Sequence, residues 1–356
     1  MKKETEVETS LPFSAGVTRS GLLYDVKDSV MARSINRRNF LKMSALAGAS
    51  LVLSPGISRI LGNRPLLAAP VEQFSFAIIA DSHTMGAKNP RMKTRLEAAI
   101  NEVNALRPQP DFVMYMGDAV HDGSAEQFKY FAEIISHLKA KIHYVPGEHD
   151  WYLDMGEYYQ KNFIKGTVPY SFDHKGHHIV VLNGINFNDF WTSRHLTAQQ
   201  RMDIAGTLND PTPGPFMLGK EQLLWLEKDL SGVSKETPLL VFTHPPLYHY
   251  YRNWNFWTED APEAHAILKP FRNVSVFHGH VHQVVQNQIE NLKFFSTVST
   301  SWPHPYPETG FPQGSPKMPR SNPANLFDGL GWSKNSTMNG EVTHGDVLWT
   351  LTPPRV

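Results

Sequence analysis

The chain of 356 residues contains no cysteine. This absence excludes disulfides, thiolate metal ligands and a lipid-modified cysteine, so any metal ion must be bound by histidine or by oxygen ligands. Neither charge is in excess, because 34 basic residues balance 34 acidic ones. A formal net charge of +0 argues against a general nucleic-acid-binding protein, which would need a basic surface, and we expect no nucleic-acid partner.

Long hydrophobic runs are also scarce, and the one near the N-terminus, from Met43 to Leu53, is too short to span a bilayer well. It follows Asn36-Arg37-Arg38-Asn39-Phe40-Leu41-Lys42 and precedes the small residues of Leu67-Ala68-Ala69. This order resembles a twin-arginine signal peptide, although Asn36 stands where serine or threonine is commoner. The resemblance implies the twin-arginine export machinery as a partner, a periplasmic or extracellular location, and no stable membrane anchor after cleavage. The alternative is a basic N-terminal helix.

The N-terminal segment differs in composition from the rest of the chain. Residues 1–69 hold ten basic and five acidic residues, which leaves 24 basic and 29 acidic residues in the remainder. All seventeen histidines lie at or after His83. We therefore predict an N-terminal extension with a signal peptide over 1–69 and a single catalytic domain over 70–356. Met31 is an alternative start to Met1.

From about Val71 the sequence alternates between strand-like and helix-like segments. The run from Phe74 to Ala80 is typical of a buried strand, and Arg91 to Leu106 has apolar residues at helical spacing. Similar strands end before Gly117, Gly147, His244 and His278, and two hairpins are predicted around Lys175-Gly176 and Glu290-Asn291. The pattern predicts an α/β fold. The Pro-rich region 302–345 is expected to be irregular, and 347–351 is a candidate closing strand.

Five short motifs follow the predicted strands and contain most of the chemically reactive side chains. In open α/β sheets such side chains meet at the carboxyl ends of the strands. The motifs are Asp81-Ser82-His83, Gly117-Asp118, Gly147-Glu148-His149-Asp150, Thr243-His244-Pro245 and Gly279-His280-Val281-His282. Carboxylates and imidazoles bind Mn, Fe, Zn or similar ions, and one carboxylate can bridge two of them. Two such ions can share a hydroxide and neutralise charge on a phosphoryl group.

The motif series resembles that of the calcineurin-like metallophosphoesterases over roughly residues 74–300. The resemblance implies a four-layer α/β/β/α sandwich of two mixed sheets flanked by helices, with two divalent or mixed-valence metal ions. It also implies that Asp118 bridges the two ions, and that His149 contacts a phosphate oxygen and can protonate the leaving group. The implied ligands are Asp81, His83, Asp118 and His282 for metal one, and Asp118, Glu148, His244 and His280 for metal two.

Two positions depart from the family pattern. Glu148 stands where the family usually has asparagine, which adds a negative charge, and we interpret it as a metal ligand rather than a displaced side chain. His121 stands three residues after Asp118, where many relatives have a carboxylate that orients the catalytic histidine. The orienting partner of His149 is therefore open at this point.

Substrate contacts are expected from aromatic-rich loops over 183–217 and 245–262. Exposed rings near a metal centre can stack on a base or hold an aryl group, although such rings also pack loops onto a domain. His121, Tyr248 and Arg252 are the candidate substrate-binding residues.

The expected function is metal-dependent hydrolysis of a small-molecule phosphate ester. Phosphodiesterase and phosphatase activity share the same ligands, and the Gly-His-x-His motif and aromatic loops resemble the cyclic-nucleotide phosphodiesterase branch, which favours diesters slightly. The alternative is a binding module that keeps the metal ligands and has little or no turnover.

Overall fold

A computed structural model describes residues 70–185, 195–207, 216–304, 327 and 329–349. The predicted signal segment and parts of the regions 183–217 and 302–345 therefore lie outside the described residues, and the boundary at residue 70 stays a prediction. Within the described part of the chain, no helix is both long and apolar enough to cross a membrane.

Eleven strands of the described chain form two mixed sheets. The strands are β1 (Ser75–Ile79), β2 (Phe112–Tyr115), β3 (Lys141–Tyr144), β4 (Tyr170–His174), β5 (His177–Val181), β6 (Leu239–Phe242), β7 (Val274–His278), β8 (Gln286–Ile289), β9 (Leu292–Ser296), β10 (Gly331–Met338) and β11 (Glu341–Leu348). The first sheet has the order β11-β10-β1-β2-β3 and the second has the order β4-β5-β6-β7-β9-β8.

Among the described residues, seven α-helical segments connect these strands. They are α1 (Pro90–Ala105), α2 (Ala125–Ile135), α3 (Glu148–Trp151), α4 (Glu157–Tyr159), α5 (Ala198–Ala205), α6 (Lys220–Leu230) and α7 (Ala261–Leu268). A π-helical turn, Gln160–Ile164, continues α4, and a 3-10 turn, Gly86–Lys88, precedes α1. Asn89 caps α1 by accepting from the backbone of Arg91, and Pro90 occupies its first position, where the missing N–H costs nothing.

The helices cover the outer faces of the two sheets. Leu96 and Ile100 of α1 and Phe128 of α2 pack on the first sheet, in one cluster with Ala77 and Val113. On the second sheet, α6 and α7 bury their apolar faces in another cluster. A third cluster fills the space between the sheets. The prediction of a four-layer sandwich of two mixed sheets flanked by helices is confirmed.

Parallel pairing brings the ends of the central strands to one edge of the molecule. In the first sheet β1, β2 and β3 are parallel, and in the second β5, β6, β7 and β9 are parallel. The carboxyl ends of parallel strands lie at the same edge of a sheet, which is where ligands bind in α/β folds. All five motifs follow such strand ends.

The C-terminal region differs from the sequence prediction. Residues 331–345 were predicted to be irregular, whereas 331–338 and 341–348 form an antiparallel hairpin whose first strand pairs with β1. The buried positions of β10 include the polar residues Ser333, Asn335 and Thr337. The sequence of this strand therefore lacks the alternation of hydrophobic and polar residues by which a strand is predicted. Of the predicted closing strand at 347–351, residues 347 and 348 belong to β11, and residues 350 and 351 lie outside the described part of the chain.

Candidate metal centre

The candidate ligands sit on backbone that is bent immediately after each strand. Five of the seven residues predicted as metal ligands have positive φ, a region that costs a non-glycine residue of order 1–3 kcal/mol and that clusters at functional sites. They are Asp81 at 52°, His83 at 42°, Asp118 at 50°, His280 at 62° and His282 at 49°. The sharp bends turn successive side chains of each motif toward the same point.

Two glycines allow these bends to approach one another. A Cβ on Gly117, which has φ of +91°, would lie 2.6 Å from Nδ1 of His244. A Cβ on Gly147 would lie 2.1 Å from Oδ1 of Asp118. Neither position has room for a side chain, so the glycines of these motifs are needed for close approach rather than for flexibility.

One group of candidate ligands consists of Asp81, His83 and His282, all buried. One ligand atom from each lies within 4.8 Å of the others. Nε2 of His282 is 3.3 Å from Oδ1 of Asp81. Two atoms bound to the same ion at about 2.1 Å stand roughly 3.0–3.4 Å apart, so this spacing suits a shared ion.

A second buried group consists of Asp118, Glu148, His244 and His280. Nε2 of His244 is 3.0 Å from Oε2 of Glu148 and 3.3 Å from Oδ2 of Asp118. Nδ1 of His280 is 2.8 Å from Oε1 of Glu148. Both carboxylate oxygens of Glu148 therefore face this group, which favours the interpretation of Glu148 as a ligand over that of a displaced side chain.

Asp118 joins the two groups. Its Oδ2 lies 3.5 Å from Nε2 of His83 on one side and 3.3 Å from Nε2 of His244 on the other. Its Oδ1 accepts a hydrogen bond from the backbone N–H of His149 at 3.0 Å, which fixes the carboxylate plane. This is the position expected of a carboxylate that bridges two ions.

In three of the histidines, one ring nitrogen hydrogen-bonds away from the centre, which leaves the other nitrogen facing the centre. Nδ1 of His244 donates to the carbonyl of Met116 at 2.5 Å, and Nδ1 of His282 donates to that of Trp302 at 2.6 Å. Nε2 of His280 lies 3.2 Å from both oxygens of Asn255. A metal-binding histidine usually donates its other N–H in this way, so Nε2 of the first two rings and Nδ1 of His280 are left to bind a metal ion.

Buried polar atoms without hydrogen bonds support this use of the site. Such atoms are normally paired, because an unpaired one carries its full desolvation cost. Four of the inward-facing atoms lack a hydrogen-bond partner: Oδ2 of Asp81, Nε2 of His83, Oε2 of Glu148 and Nε2 of His244. These are oxygen and imidazole donors, so the residues present fit divalent or mixed-valence metal ions.

The pKa shifts in the centre also indicate a position for positive charge. Burial raises the pKa of Asp81 to about 8, an energetic cost that a bound cation removes. Burial alone would lower the pKa of His244. The negative charges of Asp118 and Glu148 have the larger combined effect and raise the pKa of His244 well above its usual value. Burial lowers the pKa of His282 to about 3, which keeps its ring neutral, as a metal ligand must be.

His149 lies beside the two groups with its ring held in a fixed orientation. Its Nδ1 donates to the backbone carbonyl of His121 at 2.7 Å, and the two rings stack with centroids 5.0 Å apart. The orienting partner that the sequence left open is therefore the main chain of His121 rather than a side chain. Nδ1 of His121 in turn lies 3.4 Å from Nδ1 of His83, so His121 contacts both residues.

Comparison with known proteins is consistent with this geometry. The family model described as calcineurin-like phosphoesterase matches residues 74–284, more than half of the chain and including all five motifs. The chain belongs to the calcineurin-like phosphoesterase family. The family consists of dinuclear metal hydrolases, and the buried carboxylate and imidazole groups described above could hold two metal ions.

Individual relatives are distant. A probable glycerophosphodiester phosphodiesterase of Arcobacter nitrofigilis is 27% identical over 42% of this chain and 46% of its own length. A 3′,5′-cyclic-nucleotide phosphodiesterase of Nostoc sp. is 22% identical over 64% of this chain and 79% of its own length. The chain thus spans less than half of the first relative.

Solved structures share the fold. A dimetal phosphatase from Danio rerio superposes with a TM-score of 0.52 at 13% identity, over 77% of this chain and 98% of that one. A purple acid phosphatase from yellow lupin superposes with a TM-score of 0.53 at 12% identity, over 78% of this chain and 52% of that one.

The predicted substrate residues of this phosphoesterase have different placements. Tyr248 is 3% exposed and packs in the core with its ring centroid 4.9 Å from that of Phe294, which corrects its prediction as a substrate contact in favour of the packing role. The guanidinium of Arg252 lies 4.4 Å from the ring centroid of Trp257, and a contact with phosphate stays a prediction for it. The side chain of His121 is half-buried beside His83, and its contact with substrate also stays a prediction.

Three residues at the metal centre of this phosphoesterase were missed by sequence reasoning. Trp302 stacks on His83 at 4.3 Å and His304 stacks on His282 at 4.4 Å, measured between ring centroids. Asn255 accepts from His280. Trp302 and His304 follow β9, which is parallel to β7, so their position after a strand end was the one available signal.

Proposed function

We propose that this protein hydrolyses small-molecule phosphodiesters at a dinuclear metal centre. The observation that carries the proposal is the convergence of seven buried ligand side chains in two groups, which meet at Oδ2 of Asp118. The metal-one ligands are Asp81, His83, Asp118 and His282, and the metal-two ligands are Asp118, Glu148, His244 and His280. The names of the phosphodiesterase relatives support diesters over monoesters.

The bound ions supply a water of lowered pKa and neutralise charge on the phosphoryl oxygens. His149 is the side chain that assists the breaking of the P–O bond to the leaving group. Because its Nδ1 donates to the carbonyl of His121, its Nε2 is the nitrogen that can hold a proton for the leaving group. As a water oxygen forms the new P–O bond and gives up a proton to solvent, the opposite P–O bond breaks and the departing oxygen takes the proton of His149, which solvent then replaces. The products are a phosphomonoester and an alcohol.

The proposal is tested with bis-p-nitrophenyl phosphate and p-nitrophenyl phosphate on metal-loaded protein. We expect turnover of both compounds, faster for the diester, with loss of activity after chelation and recovery after addition of Mn, Zn or Fe salts. Metal content is measured on the same samples. Two bound ions per chain without turnover of either compound would contradict the proposal and favour a binding module.

We further propose that the twin-arginine machinery exports the protein to the periplasm or the extracellular space. The basis is the order of Arg37-Arg38, the apolar run to Leu53 and the small residues at 67–69. Replacing Arg37 and Arg38 with lysine should leave the precursor in the cytoplasm, as measured by cell fractionation. Arg33→Lys, outside the paired arginines, is the matched control and should be exported normally; export of the double variant at the wild-type level would refute this route.

A further inference from the structure

Glu148 gives the metal centre a third buried carboxylate. Its side chain is 2% exposed, with one oxygen 2.8 Å from Nδ1 of His280 and the other 3.0 Å from Nε2 of His244. Asp81 and Asp118 provide the other two carboxylates of the ligand groups. An amide at position 148 could offer an oxygen in the same place without the charge. Metal binding alone therefore does not require the negative charge of Glu148, and we ask what else this charge does.

Two basic side chains near the centre bind other groups. Lys88 pairs with Asp122 at 3.4 Å, next to His121. The guanidinium of Arg201 donates to three backbone carbonyls, those of Tyr152, Leu153 and Leu196. The charge of the ligand groups themselves is set by the metal ions and the three carboxylates, and Arg252 is the same in every variant of position 148.

Charge balance then distinguishes two classes of phosphate ester. Whatever ions are bound, Asp81, Asp118 and Glu148 subtract three charges from theirs, so the centre is one unit less positive with Glu148 than with an amide at position 148. A diester carries a single negative charge, whereas a monoester at neutral pH carries close to two. The missing unit of positive charge therefore weakens the attraction of a monoester about twice as much as that of a diester, and charges interact strongly in a buried site.

We propose that Glu148 is a specificity-determining residue that makes this metal centre prefer monoanionic phosphodiesters to dianionic phosphomonoesters. The inference rests on the proposed function, because it assigns the substrate class to the same site. Removing the charge should shift the preference toward monoesters without a change in the other six ligands.

The variants Glu148→Gln and Glu148→Asn test this directly, with Glu148→Asp as the control that keeps the charge. At about pH 8, where a monoester is dianionic, the ratio of kcat/KM for the diester to that for the monoester should fall about tenfold or more in both amide variants. It should stay within about threefold of the wild-type ratio in Glu148→Asp. Metal content is set to two ions per chain in every sample and verified by elemental analysis.

A binding measurement separates this inference from the proposed function. Inorganic phosphate and dimethyl phosphate are titrated calorimetrically into the metal-loaded proteins, which needs no turnover. We compare the ratio of the affinity for phosphate to the affinity for dimethyl phosphate. This ratio should be about tenfold or more higher in the amide variants than in the wild type. An unchanged affinity ratio in both amide variants at two ions per chain overturns the role of Glu148, whatever the activity. Wild-type protein that shows the predicted ratios but no hydrolysis overturns only the proposed function.

Discussion

Asp118→Asn is expected to lose both metal ions at moderate metal concentrations and to hydrolyse phosphodiesters at least about 1000-fold more slowly than the wild type. The reason is the position of Oδ2, which lies 3.5 Å from the metal-facing nitrogen of His83 and 3.3 Å from that of His244. An asparagine of the same shape presents one neutral oxygen to two ions. The loss should therefore affect both ligand groups, whereas a change in His282 should affect one.

Elemental analysis after dialysis, with diester turnover on the same samples, checks this prediction. Asp122→Asn is the matched control, because its carboxylate is 46% exposed and is bound by Gln127 and Lys88 rather than by a metal ligand. The control should keep both ions and activity within about twofold of the wild type. An Asp118→Asn protein that still holds two ions would show that this carboxylate does not bridge them.

Replacing His149 with asparagine should lower kcat by about 100- to 10,000-fold for a diester with an alkoxide leaving group, while both metal ions are retained. The ring belongs neither to the group of Asp81, His83 and His282 nor to the group that contains Asp118, and its Nδ1 is fixed by the carbonyl of His121. The loss should depend on the leaving group. It should be small for bis-p-nitrophenyl phosphate, whose leaving group needs little protonation, and large for cyclic AMP, whose leaving group is an alkoxide.

Steady-state kinetics with the two substrates, together with metal analysis, measure this difference. His137→Gln is the control, since that side chain is exposed on the surface, and it should leave both rates unchanged. An equal loss of kcat for both substrates would mean that His149 contacts a phosphate oxygen and does not supply the proton.

The sequence could predict that the candidate ligands lie close together, because each of them follows a strand end. A buried run such as Phe74 to Ala80 indicates where β1 stops, and the topology of parallel strands then places Asp81 and Asp118 at one edge. Local sequence and one rule of sheet geometry placed the five motifs at this edge, and the resemblance to the calcineurin-like metallophosphoesterases implied how their side chains divide into two ligand sets. No knowledge of side-chain packing was needed.

The remainder of the site depends on long-range contacts that leave no local pattern. Trp302 reaches His83 across 219 positions of sequence, and its ring stacks there because the chain after β9 follows the edge of the sheet. The hairpin of β10 and β11 was missed because its buried positions include Ser333 and Asn335, which give no hydrophobic alternation. The partner of His149 is a main-chain carbonyl, and any residue type could have supplied it.

The left-handed backbone at five ligand positions makes metal supply a factor in folding. Each of these residues stores strain, and the buried carboxylates among them repel one another, so the ions offset costs that the chain cannot offset alone. Metal binding and completion of the fold then form a single equilibrium. The twin-arginine route that we propose carries folded proteins, so on this route the ions are chosen in the compartment where the chain folds. The metal content of the mature enzyme would record the cytoplasm that produced it rather than the surroundings in which it acts.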